Sequence, residues 1–263
     1  METPTAQTAE PVIRMADVTV GSLQDLSAVV AEAVQWTVNA GDFWVVAGLQ
    51  GTGKSDLLMM TGGLMPPAAG QYRLFGEEMP VYEEARLNTR LRLGLVFDGG
   101  QLLNHLTVWE NVALPLRYHR NLPKGAAAEE VRPFIEAMEL GPWADSTPGA
   151  IGRNWRKRVG LARALVLKPE VLLVDSPLAG LDPRHVNWWL GLFGELSKGH
   201  PLLGGRPLTL VVTTADLRPW KNLARQFAIL KDRRFVVLGT WPQLEAASEE
   251  LLQELLPAEP RAD

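Results

Sequence analysis

The segment Gly48-Leu49-Gln50-Gly51-Thr52-Gly53-Lys54-Ser55 fits the phosphate-binding pattern G-x-x-x-x-G-K-[ST] at each fixed position and follows the apolar run Phe43 to Ala47. Small residues let consecutive backbone N–H groups curl around a β-phosphate, and a helix starting at the end of the loop points its positive dipole at the same anion. Lys54 is then placed to reach the β- and γ-phosphates, and the Ser55 hydroxyl to ligate Mg²⁺. Asp56 follows directly, where a carboxylate suits a helix N-terminus but repels an α-phosphate. An accidental glycine-rich turn is the competing reading. The strand-like run before the loop and the apolar Leu57-Leu58-Met59-Met60 after it argue for a nucleoside triphosphate site instead.

A second chemical segment is Val171-Leu-Leu-Val-Asp175-Ser176-Pro-Leu-Ala-Gly-Leu-Asp-Pro183. An apolar strand that delivers a carboxylate at its end gives a P-loop enzyme its second hold on Mg²⁺, here Asp175. Alone, this run reads equally as a buried strand ending in a turn. The phosphate loop upstream and Ala179-Gly-Leu-Asp-Pro183 downstream make it specific.

The elements that must position these residues read as an α/β fold. Strand-like runs lie at Val12 to Val20, Val34 to Val38, Phe43 to Ala47, Leu93 to Phe97, Val171 to Asp175, Leu208 to Thr213, Phe227 to Leu230 and Phe235 to Leu238. Residues 99 to 167 read as mostly helical, and ligands are expected beyond the C-terminal ends of the strands. Met1 to Pro11, rich in Thr, Ala, Glu and Pro, reads as a flexible tail. The 263 residues suffice for one domain with an inserted subdomain or for two small domains. A net charge of -4 argues against a general nucleic-acid binder, and the absence of cysteine excludes disulfide and thiolate chemistry. No apolar run approaches the ~20 residues of a membrane helix, so a membrane role is expected only through a partner.

With these landmarks in place, the chain from about Val12 to Leu238 resembles the ATP-binding cassette family, the nucleotide-binding subunits of ABC transporters. Gly180-Leu-Asp-Pro183 is similar to the family's D-loop, and Ile151 to Ala164, with Arg158-Val-Gly-Leu-Ala-Arg163, to its signature helix. Leu106-Thr-Val-Trp-Glu-Asn-Val-Ala-Leu-Pro-Leu116 resembles the region after the family's Q-loop and is similar to cassettes of Mla/Mce-type lipid-trafficking systems, though other cassettes share it. The resemblance implies a P-loop core sheet with an N-terminal antiparallel β region, forming one domain over 12–263 with a helical subdomain at about 99–167. It also implies ATP and Mg²⁺ as ligands, a transmembrane permease and a second cassette, identical or different, as partners, and a cytoplasmic place on the inner face of the cell membrane.

Several family positions are altered. Asp98 stands where a glutamine is usual, and its carboxylate offers an oxygen to Mg²⁺ beside Ser55 and Asp175, with shorter reach and added charge. Ser176 replaces the catalytic glutamate and Ala215 the histidine that touches the γ-phosphate, so both groups that polarise the attacking water are missing. A positioned base contributes about 10²- to 10⁴-fold, so ATP binding with weak or atypical hydrolysis is expected. The family's L-S-G-G-Q aligns with Ile151-Gly-Arg-Asn-Trp155, which lacks the serine hydroxyl; Arg153 or Arg156 reads either as a cation offered to the partner's γ-phosphate or as a solvated helix residue. No aromatic ring for the adenine lies near Val20-Gly21, and Trp36 and Trp44 read as core residues that would otherwise be the substitutes.

Trp189, Leu192, Phe193 and Leu196 read as a core stripe at helical spacing, and Leu244 to Leu256 as an amphipathic C-terminal helix. His105 and His119 lack metal-ligand spacing. The alternative function is a soluble nucleotide sensor that closes on ATP to regulate a partner. A small-metabolite kinase leaves the resemblances at Gly180 to Pro183 and Leu106 to Leu116 unexplained.

Overall fold

The computed structural model describes residues 10–25, 27–79 and 84–246. Ten strands form one sheet: β1 Ile13–Gly21, β2 Val29–Val38, β3 Phe43–Ala47, β4 Ala69–Leu74, β5 Glu77–Glu78, β6 Leu93–Val96, β7 Val171–Val174, β8 Thr209–Thr214, β9 Gln226–Lys231 and β10 Arg234–Gly239. Their spatial order is β5-β4-β1-β2-β10-β9-β3-β8-β7-β6. The core strands β9, β3, β8, β7 and β6 run parallel, whereas β4, β1 and β2 form an antiparallel ribbon. Ribbon and core meet through β10, which pairs with β2 at a single residue pair, Arg234 with Glu32.

Side-chain alternation explains why the parallel strands are apolar throughout. Phe43, Val45 and Ala47 enter one hydrophobic cluster and Trp44 and Val46 the other, and Leu172 and Val174 part from Val171 and Leu173 in the same way. A strand covered on both faces has no polar side to show. Trp36 and Trp44 are both buried and meet edge to face at 5.8 Å, which makes them core residues and removes them as adenine platforms.

Helix α1, Lys54–Thr61, follows the phosphate loop, and a short α2, Leu87–Leu91, precedes β6. Between β6 and β7 lie α3 Val108–His119, α4 Lys124–Ala137 and α5 Arg153–Leu165. Helix α3 starts with a capping box in which Thr107 accepts from the Glu110 N–H and Glu110 accepts from the Thr107 N–H. One turn on, the buried Asn111 side chain accepts from the Leu103 N–H and donates to the carbonyls of Leu103, Leu106 and Thr107, which fixes the loop entering the helix. Helix α6, Pro183–Lys198, buries Trp189, Leu192, Phe193 and Leu196 along one face. Helix α7, Trp241–Ala246, covers the start of the expected C-terminal helix; its remainder to Leu256 lies outside the described residues.

Candidate nucleotide site

Four of the altered or matched positions follow the C-terminal ends of parallel strands: the phosphate loop after β3, Asp98 after β6, Asp175 after β7 and Ala215 after β8. A cleft of about 880 Å³ joins them, lined also by Gln50 to Asp56, Ser176, Ala179 and Arg153. Its other wall comes from Ser22, Gln24 and Ala28 to Val30 of the ribbon and from Asp232 and Arg233 of the β9–β10 turn. Arg233 and its neighbour carried no sequence signal, since only the sheet order brings that turn here.

The loop geometry demands its glycines. Gly51 and Gly53 take φ of +82° and +86°, and a Cβ on Gly48 would stand 2.6 Å from the Leu230 carbonyl oxygen. Lys54 is buried, and its Nζ donates to the carbonyls of Gly48 and Leu49 at 2.7 Å each. Burial holds this ammonium below its ordinary pKa, against the opposing charge of Asp175. Asp56 lines the cleft, and its carboxylate accepts the Leu23 N–H at 3.0 Å, which ties the ribbon to the start of α1.

Asp175 is the convergence point. Ser55 Oγ donates to its Oδ2 at 2.6 Å, while Thr213 Oγ1 and Ser176 Oγ donate to its Oδ1 at 2.7 and 3.3 Å. Two neighbouring ligands of an octahedral Mg²⁺ at about 2.1 Å stand about 3 Å apart, so the Ser55 and Asp175 oxygens already have close to the spacing such an ion requires. Ser176 sits in the left-handed region at φ +44° with its N–H donated to Thr213 Oγ1, and its side chain brings no base into the cleft. Ala215 brings no ring.

Asp98 lines the same cleft with both oxygens against cations. Arg153 Nη2 donates to Oδ2 at 2.7 Å, and Lys157 Nζ stands 2.9 Å from Oδ1 at ion-pair distance, off the hydrogen-bond direction. Burial works to raise this carboxyl's pKa, but Lys157 and Arg153 outweigh it and hold the group below its ordinary value. Lys157 also donates to the carbonyls of Ser176, Pro177 and Ala179 at 2.9, 3.2 and 3.0 Å. It thereby binds α5 to the turn that carries Ser176 and to the D-loop. Its ammonium is held below its ordinary pKa, first by burial, with Asp98 opposing.

Sequence reasoning passed over Lys157, although a signal existed. Arg156, Lys157 and Arg158 span about 200° of a helix, so they do not share one solvent face. Arg158 turns inward too, lying 3.5 Å from the Trp188 ring centre and pairing with Glu139 at 2.6 Å. Arg153, read as reaching a partner's nucleotide or as solvated, lines this chain's own cleft. The loop after Asp98 is clamped to α5: a Cβ on Gly160 would stand 2.8 Å from Gly100 Cα, and Arg163 donates to the carbonyls of Gly100 and Gln101.

A phosphate loop, a strand-end carboxylate and an inserted helical segment on this sheet define an ATP-binding cassette. The ABC transporter family model matches residues 31–179, more than half of the chain, and the chain belongs to that family. The intermembrane phospholipid transport system ATP-binding protein MlaF of Escherichia coli K12 is 31% identical over 224 residues, which cover 85% of this chain and 81% of that protein. The methionine import ATP-binding protein MetN of Lacticaseibacillus paracasei is 30% identical over 92% of this chain and 68% of its own length. Among solved structures, cbiO1 of Clostridium perfringens, part of the ABC transporter complex cbiONQ, has a TM-score of 0.74 at 21% identity, covering 91% of this chain and 92% of its own, a likeness of fold. The ATP-binding cassette MJ0796, a dimer bound to ADP and Pi, also scores 0.74, at 25% identity over 84% of this chain and 95% of its own. Among the described residues, no helix is long and apolar enough to cross a membrane.

Proposed function

We propose that this chain is the ATP-binding subunit of a lipid-handling ABC transporter, a single cassette over 12–263 with helices of 99–167 inserted in its P-loop core. The observation that carries the nucleotide reading is the Ser55–Asp175 contact at 2.6 Å beside the buried Lys54. The loop from Gly48 to Ser55 would take the phosphates, with Asp56 bracing the start of α1. Ser55 and Asp175 would hold Mg²⁺, and Asp98, whose oxygens face two cations, is the outer candidate ligand. A bound Mg²⁺ would supply charge that offsets the phosphates. The lipid class rests on the MlaF likeness and on the Leu106 to Leu116 segment, where the buried Asn111 and the capping box hold the exposed Leu103 and His105 in a fixed loop.

ATP binding would draw this chain against a second cassette and move a permease on the inner face of the membrane. Ser176 and Ala215 leave the attacking water without a base or a ring contact, so turnover would be slow. Co-purification from detergent-solubilised membranes tests the reading. A permease should accompany the chain, and ATP binding should be lost in Lys54→Ala. Recovery without any integral membrane protein would favour the nucleotide sensor, and ATP turnover at a rate typical of transporter ATPases, lost in Lys54→Ala, would refute the slow-turnover reading.

A further inference from the structure

The group around Asp98 carries a surplus of positive charge. One carboxylate faces two cations, and the two are held differently. Lys157 is 1% exposed and fastened to three backbone carbonyls. It cannot leave without stranding those of Pro177 and Ala179, so its charge stays with Asp98. Arg153 has one ion-pair contact, its side chain is 51% exposed, and it faces the cleft that also holds Lys54, Ser55 and Asp175. Its other terminal nitrogen lies beside Gly180 of the D-loop, where a Cβ would be 3.6 Å away. Ala215, on the same cleft, offers no group to a terminal phosphate.

From this geometry we infer that Arg153 is the γ-phosphate sensor of its own cleft. Asp98 holds the guanidinium while the cleft is empty or contains a diphosphate. A terminal phosphate, with more charge and three acceptor oxygens, draws Arg153 away from Asp98. Lys157 remains on Asp98, so the exchange leaves no bare carboxylate beside the nucleotide. A diphosphate lacks the group that rewards this exchange, and Arg153 therefore discriminates ATP from ADP. The route from Arg153 through Asp98 and Lys157 to the Ser176 carbonyl connects the start of α5 with the strand end that carries Asp175.

This inference rests on the nucleotide reading above, and equilibrium binding of Mg-ATP and Mg-ADP separates the two. Wild-type protein should prefer ATP, and Lys54→Ala should lose both ligands. Arg153→Ala should keep its ADP affinity and lose about tenfold in the ATP-over-ADP ratio, the size of one partly exposed charge-assisted hydrogen bond. The double variant Asp98→Asn with Arg153→Ala should stay equally low. Recovery of the wild-type ratio in the double variant would mean that a bare Asp98 had repelled ATP, and the sensor role would fall. An unchanged ratio in Arg153→Ala, with Lys54→Ala still defective, would overturn the sensor role alone. Absence of nucleotide binding by the wild type would overturn both.

Discussion

Replacing Lys157 by methionine keeps the apolar stem of the side chain and deletes its ammonium. Three carbonyls then lose a donor. The Ser176 carbonyl keeps the Ala179 N–H at 3.2 Å, whereas those of Pro177 and Ala179 have no other partner among the described residues. A buried acceptor left without a donor costs about 1–3 kcal/mol, so two come to about 2–6. Water reaches the partly buried Ala179 carbonyl, which moves the sum to the lower half, about 3 kcal/mol. For a domain of this size that is a fall in Tm of roughly 6–12 °C. Calorimetry at neutral pH, with guanidinium unfolding as a second measure, reads the effect. A variant within about 2 °C of wild type, or above it, would refute the reasoning, because dehydration of the ammonium would then outweigh its hydrogen bonds.

Ser176→Glu should raise ATP turnover by about 10²-fold, the lower end for a positioned base because Ala215 still leaves the γ-phosphate uncontacted; phosphate release measures it, and no rise would contradict the assignment. Asn111→Ala should destabilise the protein by about 2–4 kcal/mol, since the Leu103, Leu106 and Thr107 carbonyls and the Leu103 N–H lose their shared partner; urea unfolding is the check. Asp98 has a folded pKa below its ordinary 3.8, so its contribution to stability is full above 3.8 and is lost as pH falls through the folded value. The acid limb of a stability–pH curve should accordingly be shallower for Asp98→Asn than for wild type.

Much of this cleft can be read from the chain because its chemistry is local. The phosphate loop is contiguous, and β3 runs from Phe43 to Ala47, where the apolar run places it. Antiparallel pieces were harder to read. Strand β4, Ala-Gly-Gln-Tyr-Arg-Leu, exposes four of its six residues and carries no apolar period, so turn residues concealed it. The Asp98–Arg153 contact joins residues 55 apart, and no periodicity encodes a pairing made by the docking of α5 against β6. Lys157 escaped for a different reason. A lysine in a basic run suggests solvent, and only the three carbonyls at its tip reveal that it is an internal brace.

The ribbon and the parallel core touch as sheets at one residue pair, Arg234 with Glu32, so the seam has almost no ladder of its own. Three of the smaller fastenings that cross beside it are the Glu32 N–H donated to the Arg233 carbonyl, Val30 against Gly53, and the Leu23 N–H on Asp56. All three lie on or next to the walls of the cleft. An occupant bridging the phosphate loop and the Ser22 to Val30 edge therefore acts as a rivet through the joint. Ribbon and core also share one buried cluster, in which Trp36 meets Trp44, so the rivet would add to a joint that side-chain packing already closes.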